Sequence, residues 1–174
     1  MALFMGLALC SVTPTVATAG EVVVLTDGAI KPISLGKNTG WIRELISRRQ
    51  WMQAAKLVTK ASAGARVVKG YLLGKAGHPR DSLKSLEGTA KKLPGLATFI
   101  HLQRARALLA LDRYGDATAA AKKIPLESEM GAEAQRIVAR GLRETGDFEQ
   151  SRKVYESILA KSTPKEVPVA LLGL

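Results

Sequence analysis

The sequence is poor in residues that form covalent cross-links and metal sites. Its only cysteine, Cys10, lies in an N-terminal segment that is expected to be removed. The remaining chain would then have no disulfide, no thiol chemistry and no cysteine metal site. The two histidines, His78 and His101, lack a second ligand at metal-binding spacing and are interpreted as surface or packing residues. No metal ion or cofactor is predicted.

Common catalytic motifs are also missing. The chain has no G-x-S-x-G, P-loop, H-E-x-x-H or dinucleotide fingerprint. A stripe of three arginines follows one predicted helix face: Arg136, Arg140 and Arg143. Such a stripe suits either an anionic ligand or a solvent-exposed face. No catalytic, cofactor-binding or metal-binding residue is predicted.

Aromatic residues make up 5% of the chain, whereas hydrophobic residues, chiefly aliphatic residues and alanine, make up 47%. This composition is typical of helices that pack closely through small side chains. The net charge of +11 is concentrated in residues 31–92, which have 14 Lys or Arg against three acidic residues. A basic region of this kind attracts nucleic acid, anionic lipid or an acidic polymer, or it is a solvated face that aids solubility.

Residues 1–19 are predicted to be a secretory signal peptide. An apolar run at 2–12 precedes the Ala-x-Ala site at 17–19, so cleavage is expected after Ala19. The run is shorter than the roughly 20 residues of a membrane-spanning helix. No Lys or Arg precedes it, and a buried N-terminal helix is the alternative. Export predicts a periplasmic or secreted protein without a transmembrane segment after cleavage, and nucleic acid is not expected as its partner.

Residues 20–40 are predicted to be an extended lead-in or linker, with a short strand at 22–25 and a turn at Asp27-Gly28. Residues 161–174 begin another apolar helix that stops without a polar cap. We therefore expect the chain to be the N-terminal part of a longer protein. A short frayed tail is the alternative explanation of this terminus.

Residues 41–160 repeat a helical hairpin. Six positions of one unit recur 34 residues later: Ala105/Ala139, Leu108/Leu142, Tyr114/Phe148, Ala117/Ser151, Ala121/Tyr155 and Ile124/Ile158. This period is typical of tetratricopeptide-like repeats. The residues that follow the predicted turns are separated by 28, 35 and 34 positions: Trp51, Pro79, Tyr114 and Phe148. The prediction is an all-α, right-handed α-solenoid that is incomplete at its C-terminus, and the alternative is an unrelated four-helix bundle.

The predicted hairpins have approximate bounds: 41–48 with 51–60, 62–75 with 79–92, 96–111 with 114–125, and 130–145 with 148–160. Antiparallel helices approach closely where one presents a small residue. Gly70, Ala105 and Ala139 have this role on the first helices, and Ala54, Ser82, Ala117 and Ser151 have it on the second. We expect Trp41 among the apolar contacts of the first hairpin, and Trp51, Tyr114 and Phe148 to cover the ends of their hairpins.

Two segments, Leu108–Ala117 and Gly141–Phe148, resemble tetratricopeptide turns. Over residues 40–174, the basic, alanine-rich hairpins and the run LPGLATFIHLQRARALLALDRYGDATAAAKKIP resemble the helical superhelix of soluble lytic murein transglycosylases. This resemblance implies a periplasmic enzyme in which an α-solenoid precedes a lysozyme-like domain. That domain cleaves peptidoglycan strands without water, leaving 1,6-anhydromuramic ends, and one glutamate acts as acid and then base.

In that family the catalytic glutamate precedes a serine, and a Gly-Leu-Met-Gln segment follows. Glu127-Ser128 and Glu156-Ser157 share the dipeptide, but no Gly-Leu-Met-Gln segment follows either, so neither is assigned as catalytic. The resemblance predicts a non-catalytic arm that binds or orients peptidoglycan, with the catalytic domain downstream in the full-length protein. The alternative is a stand-alone tetratricopeptide-like adaptor that binds a protein partner in the cell envelope.

Overall fold

A computed structural model describes residues 21–22, 33–35, 37–59 and 61–161. Strand β1 (Glu21–Val22) pairs antiparallel with β2 (Ile33–Ser34), and the regular elements after Leu35 are helical. The predicted all-α class is therefore confirmed. The predicted signal peptide, most of the lead-in and the C-terminal segment 162–174 lie outside the described residues.

The helices follow one another in antiparallel pairs, and most neighbours in sequence pack against each other. Their bounds are α1 Thr39–Ser47, α2 Trp51–Leu57, α3 Ala63–Lys75, α4 Pro79–Leu86, α5 Thr89–Lys92, α6 Ala97–Leu109, α7 Tyr114–Ala121, α8 Gly131–Glu144 and α9 Phe148–Lys161. A 3-10 turn at Pro94–Leu96 leads into α6. None of the helices in the described part of the chain combines the length and apolar character that crossing a membrane requires.

Four helical hairpins are described, formed by α1 with α2, α3 with α4, α6 with α7, and α8 with α9, and their turns are closed by the same hydrogen bonds. Each has one residue with positive φ: Arg49 (58°), Gly77 (78°), Asp112 (56°) and Gly146 (86°). The next residue donates its backbone N–H to a carbonyl five positions earlier: Gln50 to Leu45, His78 to Leu73, Arg113 to Leu108 and Asp147 to Leu142. This hydrogen bond, with a shorter one inside it, is the Schellman helix ending. The chain therefore reverses at the positions that the sequence predicted.

Small residues lie where the two helices of a pair approach. Three such positions are separated by 12 residues: Gly70/Ser82, Ala105/Ala117 and Ala139/Ser151, and all are buried. The Ser82 hydroxyl donates a hydrogen bond of 2.7 Å to the Gly70 carbonyl oxygen. A Cβ atom on Gly70 would lie 2.6 Å from Cγ of Leu86, so even alanine is too large there without movement.

Three predicted helices end earlier than expected. Helix α2 ends at Leu57 rather than near residue 60, because Val58 has an extended backbone (ψ 94°). Helix α4 stops at Leu86 rather than continuing to residue 92, because Gly88 adopts a left-handed conformation (φ 67°) and α5 then starts separately at Thr89. The Thr89 hydroxyl donates to the Leu86 carbonyl oxygen at 2.7 Å, which closes the break. Helix α7 ends at Ala121 rather than near residue 125, since the N–H groups of Lys123 and Ile124 bond three residues back instead of four.

Two aromatic predictions are wrong. Trp41 was expected among the apolar contacts of the first hairpin but is 68% exposed, because the neighbouring Ile42 occupies the buried face of α1. Phe148 was expected to cover the end of its hairpin and is also 68% exposed. It is the first residue of α9, and Tyr155 and Ile158 pack on Ala139 further along that helix.

Helix α6 joins two parts of the core. Its Ile100 belongs to a buried cluster with residues of α1 to α4, whereas Leu102, Ala105 and Leu108 belong to a second cluster with α7 and α8. The Arg106 guanidinium on this helix also binds both carboxylate oxygens of Glu133 on α8 at 2.6 Å. The helix is therefore held on several sides.

Candidate anion-binding site

A groove of about 540 Å³ lies against α6, lined by α4, α5, α6, α7 and the turns beside α4 and α7. We call it the α4–α7 groove. Its basic lining residues are Lys84, Lys91, His101, Arg104, Arg113 and Lys123, and its acidic lining residues are Glu87 and Asp116. The five Lys and Arg side chains exceed the two carboxylates by three positive charges.

Among the residues that the structure describes, most of this positive charge has no neighbouring carboxylate. Arg113 binds Asp116 through two N–H groups at 2.6 and 2.8 Å, so that pair is locally neutral. Within the described ranges, no carboxylate oxygen lies within 4 Å of the charged nitrogens of Lys84, Lys91, Arg104 or Lys123. These four basic groups are therefore available to an anionic ligand.

His101 reports the electrostatic environment of the groove. It is half-buried on α6, and its pKa is lowered by burial first and then by the positive charges of Lys123 and Arg104. A charged imidazolium is disfavoured in such surroundings. An anion in the groove would oppose the part of this pKa shift that comes from Lys123 and Arg104. The sequence interpretation of His101 as a surface or packing residue missed its place here.

A second groove of about 670 Å³ lies on the other side of α4, lined by the end of α2, the following loop, α3 and α4. We call it the α2–α4 groove. Arg66, Lys69 and Lys84 supply its positive charges, and Asp81 and Glu87 supply the negative ones. The Arg66 guanidinium is already engaged, because it donates to the carbonyl oxygens of Lys84, Ser85 and Glu87 at 3.3, 3.1 and 2.8 Å.

The arginine stripe of the sequence lies away from both grooves. Arg136, Arg140 and Arg143 are all on α8. The Arg143 guanidinium lies 3.2 Å from a carboxylate oxygen of Glu144, and Arg140 is exposed. The structure therefore does not bring these residues to the lysines of α4 and α5.

The two Glu-Ser dipeptides are on the surface. Glu127 is exposed in the loop after α7, and Ser128 donates its hydroxyl to the Pro125 carbonyl oxygen. Glu156 is exposed on α9, with its carboxylate 3.8 Å from Arg152. His78 is exposed in the turn before α4. None of these residues lines either groove.

The chemistry of the α4–α7 groove is that of anion binding by ammonium and guanidinium groups. Among the residues that the structure describes, no three His, Cys, Asp or Glu side chains are grouped to hold a metal ion. Comparison with known proteins found no protein-family model, no curated protein and no solved structure that matches the chain.

Proposed function

We propose that the chain is a non-catalytic helical-repeat arm that binds an acidic ligand in the α4–α7 groove. The observation that carries this proposal is a set of four basic groups that have no carboxylate partner among the described residues: Lys84, Lys91, Arg104 and Lys123. The resemblance to lytic transglycosylase superhelices makes peptidoglycan, with its peptide carboxylates, the proposed ligand. The arm would orient a glycan strand in the periplasm for a catalytic domain that is not part of this chain.

The proposed architecture is a right-handed, tetratricopeptide-like α-solenoid. Two observations support it. The positive-φ residues of the last three hairpin turns are 35 and 34 residues apart, and their turns close with the same hydrogen bonds. The small-residue contacts also recur at the same 12-residue separation. In such folds each hairpin buries its apolar face against its neighbours and leaves extended surfaces for ligands.

Cosedimentation with purified peptidoglycan tests the proposal. Binding should be strong at about 0.01 M ionic strength and weak at about 0.15 M, since the Debye length falls from about 30 to about 8 Å. The variant with both Lys91→Ala and Lys123→Ala should bind several-fold more weakly. Its matched control changes the adjacent residues Lys92 and Lys122 to alanine, because these are exposed but line neither groove.

Equal loss in the two double variants would show that only net charge matters, and would contradict a site in the groove. Absence of binding at both ionic strengths would contradict peptidoglycan as the ligand. Circular dichroism of each variant checks that the helices are intact.

A protein-binding adaptor is the second candidate, and the exposure of Trp41 and Phe148 favours it. Aromatic side chains are enriched at protein interfaces. If this candidate is correct, Trp41→Ser will abolish capture of an envelope protein without changing cosedimentation with peptidoglycan. The groove variants would then have no effect on that capture.

A further inference from the structure

The two grooves are built from equivalent positions of consecutive hairpins. Six residues that line the α2–α4 groove have counterparts 35 positions later that line the α4–α7 groove: Arg66/His101, Lys69/Arg104, Leu73/Leu108, Asp81/Asp116, Lys84/Ala119 and Ser85/Ala120. The grooves are therefore successive copies of one surface feature. Their chemistry is also similar, because Lys69 and Arg104 keep a positive charge at one position and Asp81 and Asp116 keep a negative charge at another.

Helix α4 is the wall between the grooves. Lys84 on this helix and Glu87 just after it line both grooves, so the two depressions adjoin each other there. Lys84 is exposed. Its ammonium group can therefore reach a ligand at the junction.

The positive positions do not continue into the next hairpin. The residues 34 positions after His101 and Arg104 are Gln135 and Val138, which are uncharged. Val138 is buried. At these equivalent positions the positive charge is therefore found in the two grooves and not on α8.

We propose that the two grooves form one continuous track for a single extended polymer that bears carboxylates, with Lys84 contacting it at the junction. Packed helices lie about 8–10 Å apart, so the centres of grooves one hairpin apart are about 20 Å from each other, although their edges adjoin at Lys84. A compact anion cannot span this distance, whereas an extended peptide of 12 residues reaches about 40 Å. The identity of the polymer as peptidoglycan rests on the proposed function, but the shape of the track does not.

Fluorescein-labelled oligo-L-glutamates of four and 12 residues test the track by fluorescence anisotropy at low ionic strength. Lys69 lines only the α2–α4 groove, and Lys123 lines only the α4–α7 groove. We expect Lys69→Ala and Lys123→Ala each to weaken binding of the 12-mer by up to about fivefold, the upper end for one partly exposed ion pair. Lys84→Ala should weaken it at least as much, and Lys92→Ala and Lys122→Ala should not change it.

The four-residue oligomer is the control for length. It is long enough to occupy only one groove. We therefore expect at most one of the variants Lys69→Ala and Lys123→Ala to weaken its binding. Length dependence alone is insufficient, because a longer oligomer also offers more registers. The proposal is overturned if only one of the two variants weakens the 12-mer, or if two 12-mers bind each protein molecule.

Failure of this inference is distinguishable from failure of the proposed function. If both variants weaken binding of the 12-mer but the protein does not cosediment with peptidoglycan, the continuous track is supported and peptidoglycan as its ligand is contradicted. If both cosedimentation with peptidoglycan and binding of the 12-mer depend on Lys123 but not on Lys69, the proposed peptidoglycan-binding arm is supported and the continuous track is contradicted.

Discussion

The hydroxyl of Ser151 donates a hydrogen bond of 2.8 Å to the main-chain carbonyl oxygen of Ala139, 12 residues earlier. Both residues are buried between α8 and α9. The pair Ser82 and Gly70 forms the same bond between α3 and α4. The intervening hairpin has Ala117 at the serine position, so its helices pack without this bond. The close approach of the two helices therefore requires a small side chain at this position, and the serine hydroxyl adds a hydrogen bond.

Replacing Ser151 with alanine should lower the free energy of unfolding by about 0.5–1.5 kcal/mol, the net contribution of one hydrogen bond. Packing should be preserved, because Ala117 fills the equivalent place. Urea denaturation with an unchanged m-value measures the loss. Ser157→Ala is the control, since its hydroxyl bonds to the Val154 carbonyl oxygen on the exposed side of α9. Equal effects at the two serines would contradict the role of the buried bond.

Replacing Gly141 with alanine should destabilise the fold by about 1–3 kcal/mol, the usual cost of overpacking. The new Cβ would collide with Oγ1 of Thr118 and lie 3.1 Å from the Tyr114 carbonyl oxygen. Adding Thr118→Ala should recover part of the loss. Gly115→Ala is the matched control because its Cβ would meet no atom within 4 Å. If Gly141→Ala is as stable as the Gly115 variant, the close packing of α7 on α8 is wrong.

The Arg106–Glu133 ion pair should couple α6 to α8. Its two N–H···O contacts are both 2.6 Å, and the side chains are 40% and 35% exposed. A double-mutant cycle to alanine should give a coupling free energy of about 0.5–1 kcal/mol that decreases with salt. The exposed pair Arg48–Glu44 joins residues four positions apart at the C-terminal end of α1, and its coupling should be smaller. A coupling of zero at low salt would contradict the bidentate geometry.

His101 should make the stability depend on pH. Its pKa in the folded state is below the ordinary value of 6.5, chiefly because of burial and then because of Lys123 and Arg104. The unfolded chain therefore binds more protons than the folded chain between these two values. Its contribution to stability is present above pH 6.5 and is lost as the pH falls towards the folded pKa. His101→Gln should flatten this part of the curve of unfolding free energy against pH.

The control for this prediction uses the same groove with its charge reduced. In Lys123→Ala, NMR titration should show a His101 pKa closer to the ordinary value, because one of the nearby positive charges is gone. Lys122→Ala should leave the His101 titration as it is in the unchanged protein. A His101 pKa at or above the ordinary value in the unchanged protein would contradict the electrostatics described for the groove.

The sequence predicted the parts of the fold that depend on local pattern. Turn positions followed from Gly77 and Gly146 and from the apolar period, and the buried small residues Ala105 and Ala139 followed from their 34-residue register. The breaks after Leu86 and Ala121 were not predicted. They depend on Gly88 taking a left-handed conformation and on hydrogen bonds across the turns, which the spacing of apolar residues does not reveal.

The candidate site was only partly predictable. The excess of basic residues in 31–92 indicated a basic surface, but Arg104 and Lys123 lie outside that range. They join Lys84 only because α6 packs against α4 and α7 packs against α6. Periodicity assigns a residue to a face of its own helix. It does not show which face of a helix the neighbouring helices cover, so the exposure of Trp41 was also missed. The 35-residue relation of His101 to Arg66 was the signal available in the sequence.

The three main-chain hydrogen bonds of Arg66 affect how a mutational screen for ligand capture should be interpreted. Its guanidinium holds the segment Lys84–Glu87 in place, and both Lys84 and Glu87 line the two grooves. A substitution at Arg66 would release that segment and reduce capture as a true contact residue would. Only a drop in melting temperature would distinguish the structural role of Arg66 from the ligand contacts of the lysines, because removing the exposed lysines should not change the melting temperature.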